Sequence, residues 1–404
     1  MIKLTEKIVL AYSGGLDTSV LIKWLQEKYK ADIITVTVDV GQKDDFKEIE
    51  RRAKEIGAIK HYLIDSKLEF VRDYIFPSIK ANSLYESKYP LSTALTRPII
   101  ASKLVKIAEK EGASAVAHGC TGKGNDQVRI EITIKSLNPE LSIMAPIREW
   151  NVSRDQEIQY AREHGIKIEY KKSIFSIDQN LWGRSIEGGS IEDIGTEPPL
   201  EAFEWVKPIE KAPDEAKYID IEFENGVPTS INGIENDSIK LISYINGIAG
   251  MHGIGIIDHI EDRLVGIKSR EIYECPGALC LIEAHRDIEK LVLTRHELFF
   301  KEIVDSQWSW LVYSGLWLDP LKDDLDAFIN TTQERVEGKI RMKLYKGNFR
   351  VVGRSSKYSL YDSNLATYGI SSKFDQSLAK GFIELWGLPS RVARSISKTK
   401  KELK

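Results

Sequence analysis

The run from Ile8 to Ser19, Ile-Val-Leu-Ala-Tyr-Ser-Gly-Gly-Leu-Asp-Thr-Ser, constrains the fold of this chain more than any other segment. β-Prone residues lead into Ser13-Gly14-Gly15, and an amphipathic helix pattern follows at once. A strand that turns through Ser-Gly-Gly into a helix leaves backbone N–H groups unpaired at the positive end of the helix dipole. That arrangement is an anion site suited to phosphates. The glycines let the backbone approach a ligand closely, and Ser13, Thr18 and Ser19 add hydroxyl donors. Asp17 is the odd member, since a carboxylate beside a phosphate repels it unless a cation such as Mg2+ lies between them.

The loop is not a Walker A motif, because it has no lysine for the β- and γ-phosphates. Around it the first ~165 residues alternate strand and helix patterns, as a parallel α/β sheet does. Strands are expected at 8–11, 33–38, 61–64, 115–118 and 143–146. A helix over 16–29 carries Val20, Leu21, Trp24 and Leu25 on one face. Phe46, Ile49, Ala53 and Ile56 recur at helical spacing up to Gly57, and a third helix over 97–111 ends at Gly112. Ligands of such sheets bind beyond the carboxyl ends of the strands. Ser13, Asp39 and Gly119 fall at such ends, so one site can see all three.

At 404 residues two domains are expected. The pattern changes near residue 170, where Gly183, Gly188, Gly189, Gly195, Pro198 and Pro199 mark a loop-rich crossing. Beyond Tyr218 an α+β domain is expected, with strands at 219–223, 265–267, 279–282, 339–345 and 348–353. Its helices are expected at 239–247, 289–310 and 321–333. Lys346-Gly347-Asn348 reads as the turn of a hairpin. In the tail after Ala366, Phe382, Leu385 and Trp386 either form a subunit contact or fold back on their own domain. A short helical run is expected over 391–396, and the closing lysines read as a solvated end.

A net charge of −3 argues against a dedicated nucleic-acid binder. No apolar run approaches the ~20 residues of a membrane span, and no signal-peptide pattern follows Met1, so a cytoplasmic protein is expected. The three cysteines, Cys120, Cys275 and Cys280, make no disulfide framework, and for the Cys275/Cys280 pair buried thiols outweigh zinc. No metal site built from protein ligands alone is expected.

The second informative segment is Ala117-His118-Gly119-Cys120-Thr121-Gly122-Lys123-Gly124-Asn125-Asp126-Gln127-Val128-Arg129. Three glycines make a turn after a strand, and polar groups of both signs open a helix. Such a mixture suits a zwitterionic amino acid, with Asp126 for an ammonium and Arg129 for a carboxylate. It equally describes an ordinary capped helix with Asp126 placed by the dipole.

The first loop resembles that of the N-type ATP pyrophosphatases, which cleave ATP between the α- and β-phosphates. Three further runs narrow the resemblance: His118 to Arg129, Val40-Gly41-Gln42-Lys43, and Gly266-Ile267-Lys268-Ser269-Arg270-Glu271-Ile272-Tyr273. With Gln333 to Lys339 they make the chain similar to the argininosuccinate synthases over nearly its full length. The resemblance implies an adenine nucleotide alpha hydrolase-like domain over 1–168, a synthetase/multimerisation domain over 169–365, and an oligomerisation tail over 366–404 in a homotetramer. It also implies that citrulline and aspartate condense with Mg2+-ATP through citrullyl-AMP, as a step of arginine biosynthesis.

By the same resemblance, ATP would meet Ala11, Tyr12, Ser13, Gly14, Gly15, Leu16, Asp17, Thr18, Ser19, Val38 and Gly119. Aspartate would meet Thr121, Asn125 and Asp126. Citrulline would meet Tyr89, Asn125, Arg129, Ser176, Ser185, Glu261 and Tyr273. Ser13, Asp17, Asp126 and Arg129 would carry the catalysis. Ala94 departs from the family's usual serine, leaving Thr93 or a backbone group to substitute, and Cys120 stands where alanine is frequent. A tRNA-modifying adenylating enzyme would share the first loop but should carry a catalytic cysteine pair or a basic RNA-binding domain, and neither is present. A nucleotide-sensing module without catalysis would leave the polar second loop unexplained.

Overall fold

Five short parallel strands carry the first half of the chain. The computed structural model describes residues 6–150, 154–166, 175–235 and 237–402. It opens with β1 (Lys7–Ala11), α1 (Leu16–Tyr29), β2 (Asp32–Asp39), α2 (Phe46–Ile56) and β3 (Lys60–Asp65). A helical stretch follows in three pieces: α3 (Lys67–Phe70), a π-helical turn (Val71–Ile75) and α4 (Phe76–Lys80). Next come α5 (Thr96–Glu111), β4 (Ala115–Ala117), α6 (Asp126–Leu137), β5 (Ser142–Met144), α7 (Pro146–Trp150) and α8 (Arg154–Glu163).

The strand order is β3-β2-β1-β4-β5, with every pair parallel. The chain therefore leaves β1 on one side and returns on the other with β4. That reversal opens a crevice at the carboxyl ends of β1 and β4. Ile8, Val9, Leu10, Ile33 and Ile34 are buried, as strands covered on both faces must be. The strand expected over 143–146 stops at Met144 because Pro146 opens a helix.

The second half builds two antiparallel sheets. Its elements are β6 (Ser176–Gln179), β7 (Arg184–Glu187), β8 (Lys217–Glu224), β9 (Val227–Ile231), β10 (Ile234–Glu235), α9 (Ser238–Met251), β11 (Ile256–Asp262) and β12 (Lys268–Glu274). They continue with α10 (Pro276–Val292), α11 (Arg295–Tyr313), α12 (Pro320–Gln333), β13 (Gly338–Tyr345) and β14 (Asn348–Ser355). One sheet is β10-β9-β8-β13-β14 and the other β11-β12-β7-β6. A single buried cluster runs from Val9 through Tyr89 and Trp182 to Ile340, so the two halves share one core.

Four expectations for this half are corrected. Residues 265–267 form the turn of the β11–β12 hairpin, with Gly266 at φ +86°. Residues 279–282 lie inside α10, since a short apolar run cannot tell strand from helix and Pro276 starts the helix. The helix expected over 289–310 is two helices, because Thr294 and Glu297 form a reciprocal capping box that starts α11. The loop-rich crossing contains β6 and β7, whose pairing residues are hidden among the glycines.

The boundary expected between 168 and 169 lies outside the described residues. By contacts the chain divides into Met1–Tyr358 and Ser359–Lys404. The second unit holds α13 (Ser363–Ala366), α14 (Leu378–Trp386) and α15 (Leu388–Glu402), the last longer than the run expected over 391–396. Within it Phe382 stacks on Trp386 at 5.4 Å, yet the two rings remain 57% and 69% exposed. Among the described residues no helix is long and apolar enough to cross a membrane.

Candidate active site

The loop between β1 and α1 is built as its sequence requires. Gly14 has φ +77°, and a Cβ there would lie 2.7 Å from Ile49 Cγ1. Gly15 caps α1 without a side-chain bond, so the helix start stays open to a ligand. Ser13 Oγ lies 3.1 Å from Thr18 Oγ1 and accepts from the Gly15 N–H at 3.4 Å. Leu16 is buried, while half-buried Asp17 stands in the first turn. Contrary to expectation, Ser19 turns its hydroxyl inward. It is buried and bonded to the Tyr12 hydroxyl at 3.0 Å, because the helical phase turns it inward, away from the loop surface.

Half-buried Ala11 ends β1, and Val38 is buried in β2 beside it. The loop after β4 reaches the same crevice. A Cβ on Gly119 would lie 3.3 Å from Thr18 Cγ2, so this backbone runs against the first turn of α1. Thr121 is exposed, and Asn125 and Asp126 begin α6. Cys120 packs here with its thiol pushed up to about 12 by burial, which makes it inert.

Asp126 is already held by two guanidiniums. Arg97 Nη2 donates to Oδ2 at 2.7 Å and Arg129 Nη1 to Oδ1 at 3.0 Å. Burial opposes ionisation, but the two arginines outweigh it and keep the carboxyl below the usual range. Arg97 also pairs with Asp178 of β6, which ties α5 and α6 to the second half. Arg129 Nε donates to the Tyr313 carbonyl at 2.9 Å, and its guanidinium lies 4.8 Å from the Tyr313 ring centroid. Buried Arg129 Nη2 finds no hydrogen-bond partner among the described residues.

Aromatic residues extend the site across the two halves. Asn125 Nδ2 donates to the Tyr313 hydroxyl at 2.8 Å, and that hydroxyl donates to Glu261 Oε1 at 2.5 Å. The Tyr273 hydroxyl donates to Glu261 Oε2 at 2.5 Å. The Tyr273 ring stacks on Tyr89 at 4.0 Å. Burial works against charge on Glu261, but His259 Nε2 at 3.6 Å and the hydroxyls of Tyr273 and Tyr313 hold its carboxyl below the ordinary value. Tyr89 spends its hydroxyl accepting from the Thr93 and Ala94 N–H groups at 2.8 and 3.3 Å. Thr93 Oγ1, next to Ala94, donates to Ser185 Oγ at 3.4 Å.

Ser185 pairs with Tyr273 in the β7–β12 register, and exposed Ser176 starts the neighbouring β6. Sequence reasoning missed Arg97, Tyr313, Arg263 and Glu187, none of which lies in a recognisable motif. Arg263 Nη2 donates to Glu187 at 2.7 Å and to Glu271 at 2.5 Å, while Nη1 donates to the Lys123 carbonyl at 3.3 Å. Burial and the charge of Glu271 push the Glu187 carboxyl up to about 7.

Two family models match the chain: an argininosuccinate synthase N-terminal HUP domain over residues 7–167 and an argininosuccinate synthase C-terminal domain over residues 175–393. An argininosuccinate synthase of Pyrococcus furiosus is 60% identical over 387 residues, covering 96% of this chain and 94% of that protein. One of Dictyoglomus turgidum is 56% identical, covering 95% and 96%. One of Bacillus subtilis is 54% identical, covering 99% of each chain. With both domains matched and the two loops meeting at one crevice, the chain belongs to the argininosuccinate synthases, ATP-using ligases that form a C–N bond.

Proposed function

We propose that the chain condenses citrulline with aspartate through citrullyl-AMP, releasing argininosuccinate, AMP and diphosphate in the cytoplasm as a step of arginine synthesis. The observation that carries this reading is the meeting of the two loops. The first offers open N–H groups at a helix start, and the second is tied through Asn125 and Tyr313 to Glu261.

In this reading residues 11–19, Val38 and Gly119 hold ATP. Thr121, Asn125 and Asp126 hold aspartate, and Tyr89, Asn125, Arg129, Ser176, Ser185, Glu261 and Tyr273 hold citrulline. The unfilled N–H groups of Arg129 Nη2 suit a substrate carboxylate. Asp126 already accepts from two arginines, but a carboxylate has about four acceptor sites, so an ammonium can still join it. Ser13, Asp17 and Thr18 present only oxygen donors, which fits Mg2+ held mainly by the nucleotide's phosphates. The ion would offset phosphate charge.

The ureido carbon of citrulline is a poor electrophile, and its oxygen a poor leaving group. Attack of that oxygen on the α-phosphorus forms an O–P bond and releases diphosphate. The aspartate amine then attacks the carbon, loses a proton, and AMP departs with the former ureido oxygen. Positioning supplies much of the rate, and the N–H groups at the start of α1 stabilise charge on the leaving diphosphate. The exposed aromatic surface of α14 supports a role for the tail in assembling the proposed homotetramer.

Citrulline carrying heavy oxygen at the ureido position tests the route. Mass spectrometry of a single turnover should find the label in AMP. Unlabelled AMP, or ADP among the products, would overturn the reading.

A further inference from the structure

His118 follows β4 and is buried, 1% exposed. Its Nδ1 faces the Cys120 backbone N at 3.3 Å, and its Nε2 faces Glu131 Oε1 at 3.1 Å. A backbone N–H can only donate and a carboxylate can only accept. Nδ1 is therefore the acceptor, and Nε2 carries the hydrogen donated to Glu131. Glu131 is held in turn by Arg148 Nη2 at 2.7 Å, and Arg148 Nη1 donates to Gln127 Oε1 at 2.8 Å. The stem of Arg148 lies beside Gly122, where a Cβ would come within 3.6 Å of Cγ. From the second half, Arg263 holds the Lys123 carbonyl at 3.3 Å.

Residues 119–124 thus turn between two fixed ends, through a tight turn at Gly122 and Lys123. The imidazole supplies an acceptor for the Cys120 N–H, which lies between Gly119 and Thr121. We infer that His118 is a positioning residue: through the Cys120 amide it sets the loop that presents Gly119 to the nucleotide and Thr121 to aspartate. This rests on the functional reading of that loop given above. Glu131 and Arg148 act one step further out, fixing the ring's tautomer and rotation.

The paired variants His118→Asn and His118→Gln test it. Asparagine places its amide oxygen where Nδ1 stood and keeps the acceptor. Glutamine reaches to the Nε2 position and keeps only the contact with Glu131. Hydrogen exchange of a peptide covering 118–125 should match wild type in His118→Asn and speed up in His118→Gln. In parallel the KM for aspartate should rise about tenfold in His118→Gln only, the change expected of one lost hydrogen bond. The KM for citrulline should move by less than about twofold, since most of its contacts lie on other elements.

Equal exchange in the two variants, or equal rises in all the KM values, would overturn the inference. Should His118→Asn fail to fold, Glu131→Gln (acceptor for Nε2–H kept) is set against Glu131→Leu (acceptor removed). Faster exchange is expected only in the leucine variant, and no difference overturns the inference. The exchange contrast needs no substrate. A wild-type protein that makes no diphosphate from the three substrates would sink the functional reading and leave this test standing.

Discussion

The hydroxyl of Tyr313 donates to Glu261 at 2.5 Å while accepting from Asn125 at 2.8 Å, so one phenol joins the start of α6 to the second half of the chain. Tyr85 stacks on the same ring with centroids 3.4 Å apart, which leaves Tyr313 little freedom to turn.

Tyr313→Phe should keep the ring packing but strip a donor from Glu261 and an acceptor from Asn125. Leaving a buried amide N–H unpaired costs about 1–3 kcal/mol. A drop of about tenfold or more in kcat/KM for citrulline is expected on that basis. Steady-state kinetics with citrulline varied checks it. Unchanged constants would mean that the phenol serves packing alone.

Asp126→Asn should damage more than aspartate binding. The carboxylate compensates Arg97 and Arg129 together, and Arg97 also holds Asp178. The side chain is about a third exposed, so solvent softens the loss, and about 1–2 kcal/mol is expected from losing charge-assisted bonds. Aspartate KM should rise most, citrulline KM should rise as well through displaced Arg129, and ATP KM should change least. A calorimetric Tm should fall in step.

Glu187 sets a pH dependence. Partial burial and Glu271 push its carboxyl up to about 7, with Arg263 pulling the other way, and solvent around the 46% exposed side chain softens the effect on stability. Its folded-state value lies above its unfolded value, so the stability it contributes is full below about 4.5 and is lost as pH rises through about 7. Relative to wild type, Glu187→Gln should therefore gain Tm as pH rises across that window. Since ionised Glu187 holds Arg263 against the Lys123 carbonyl, an acid limb near pH 7 in kcat/KM should flatten in the same variant. A wild-type profile that is flat between about pH 6 and 8, on either side of the raised Glu187 value, would reject the second part.

Truncation after Ala366 should weaken assembly. The removed segment carries Phe382, Leu385 and Trp386 at 57%, 75% and 69% exposure and none of the proposed substrate contacts. Analytical ultracentrifugation should show smaller species, while a sedimentation coefficient explained by lost mass alone would assign the contact elsewhere.

Local chemistry was legible in the chain itself. The strand, the Ser13-Gly14-Gly15 turn and α1 follow from hydrophobic period and backbone freedom within a few residues, and α1 and α2 fall where periodicity puts them. The same holds for the loop after β4, whose glycines and polar cluster sit side by side in sequence. Where apolar runs were short, at 265–267 and 279–282, local pattern could not separate strand, turn and helix. Only the tertiary structure decided which groups meet. Asn125 and Tyr313 are 188 positions apart, Tyr313 and Glu261 52, and Arg97 and Asp178 81. No periodicity links such residues, because their pairing depends on how α5, α6, α11 and the β6–β7–β12–β11 sheet pack. The inward turn of Ser19, the double hold on Asp126 and the raised carboxyl of Glu187 arise in the same way, since burial and neighbouring charge exist only once the chain has closed on itself.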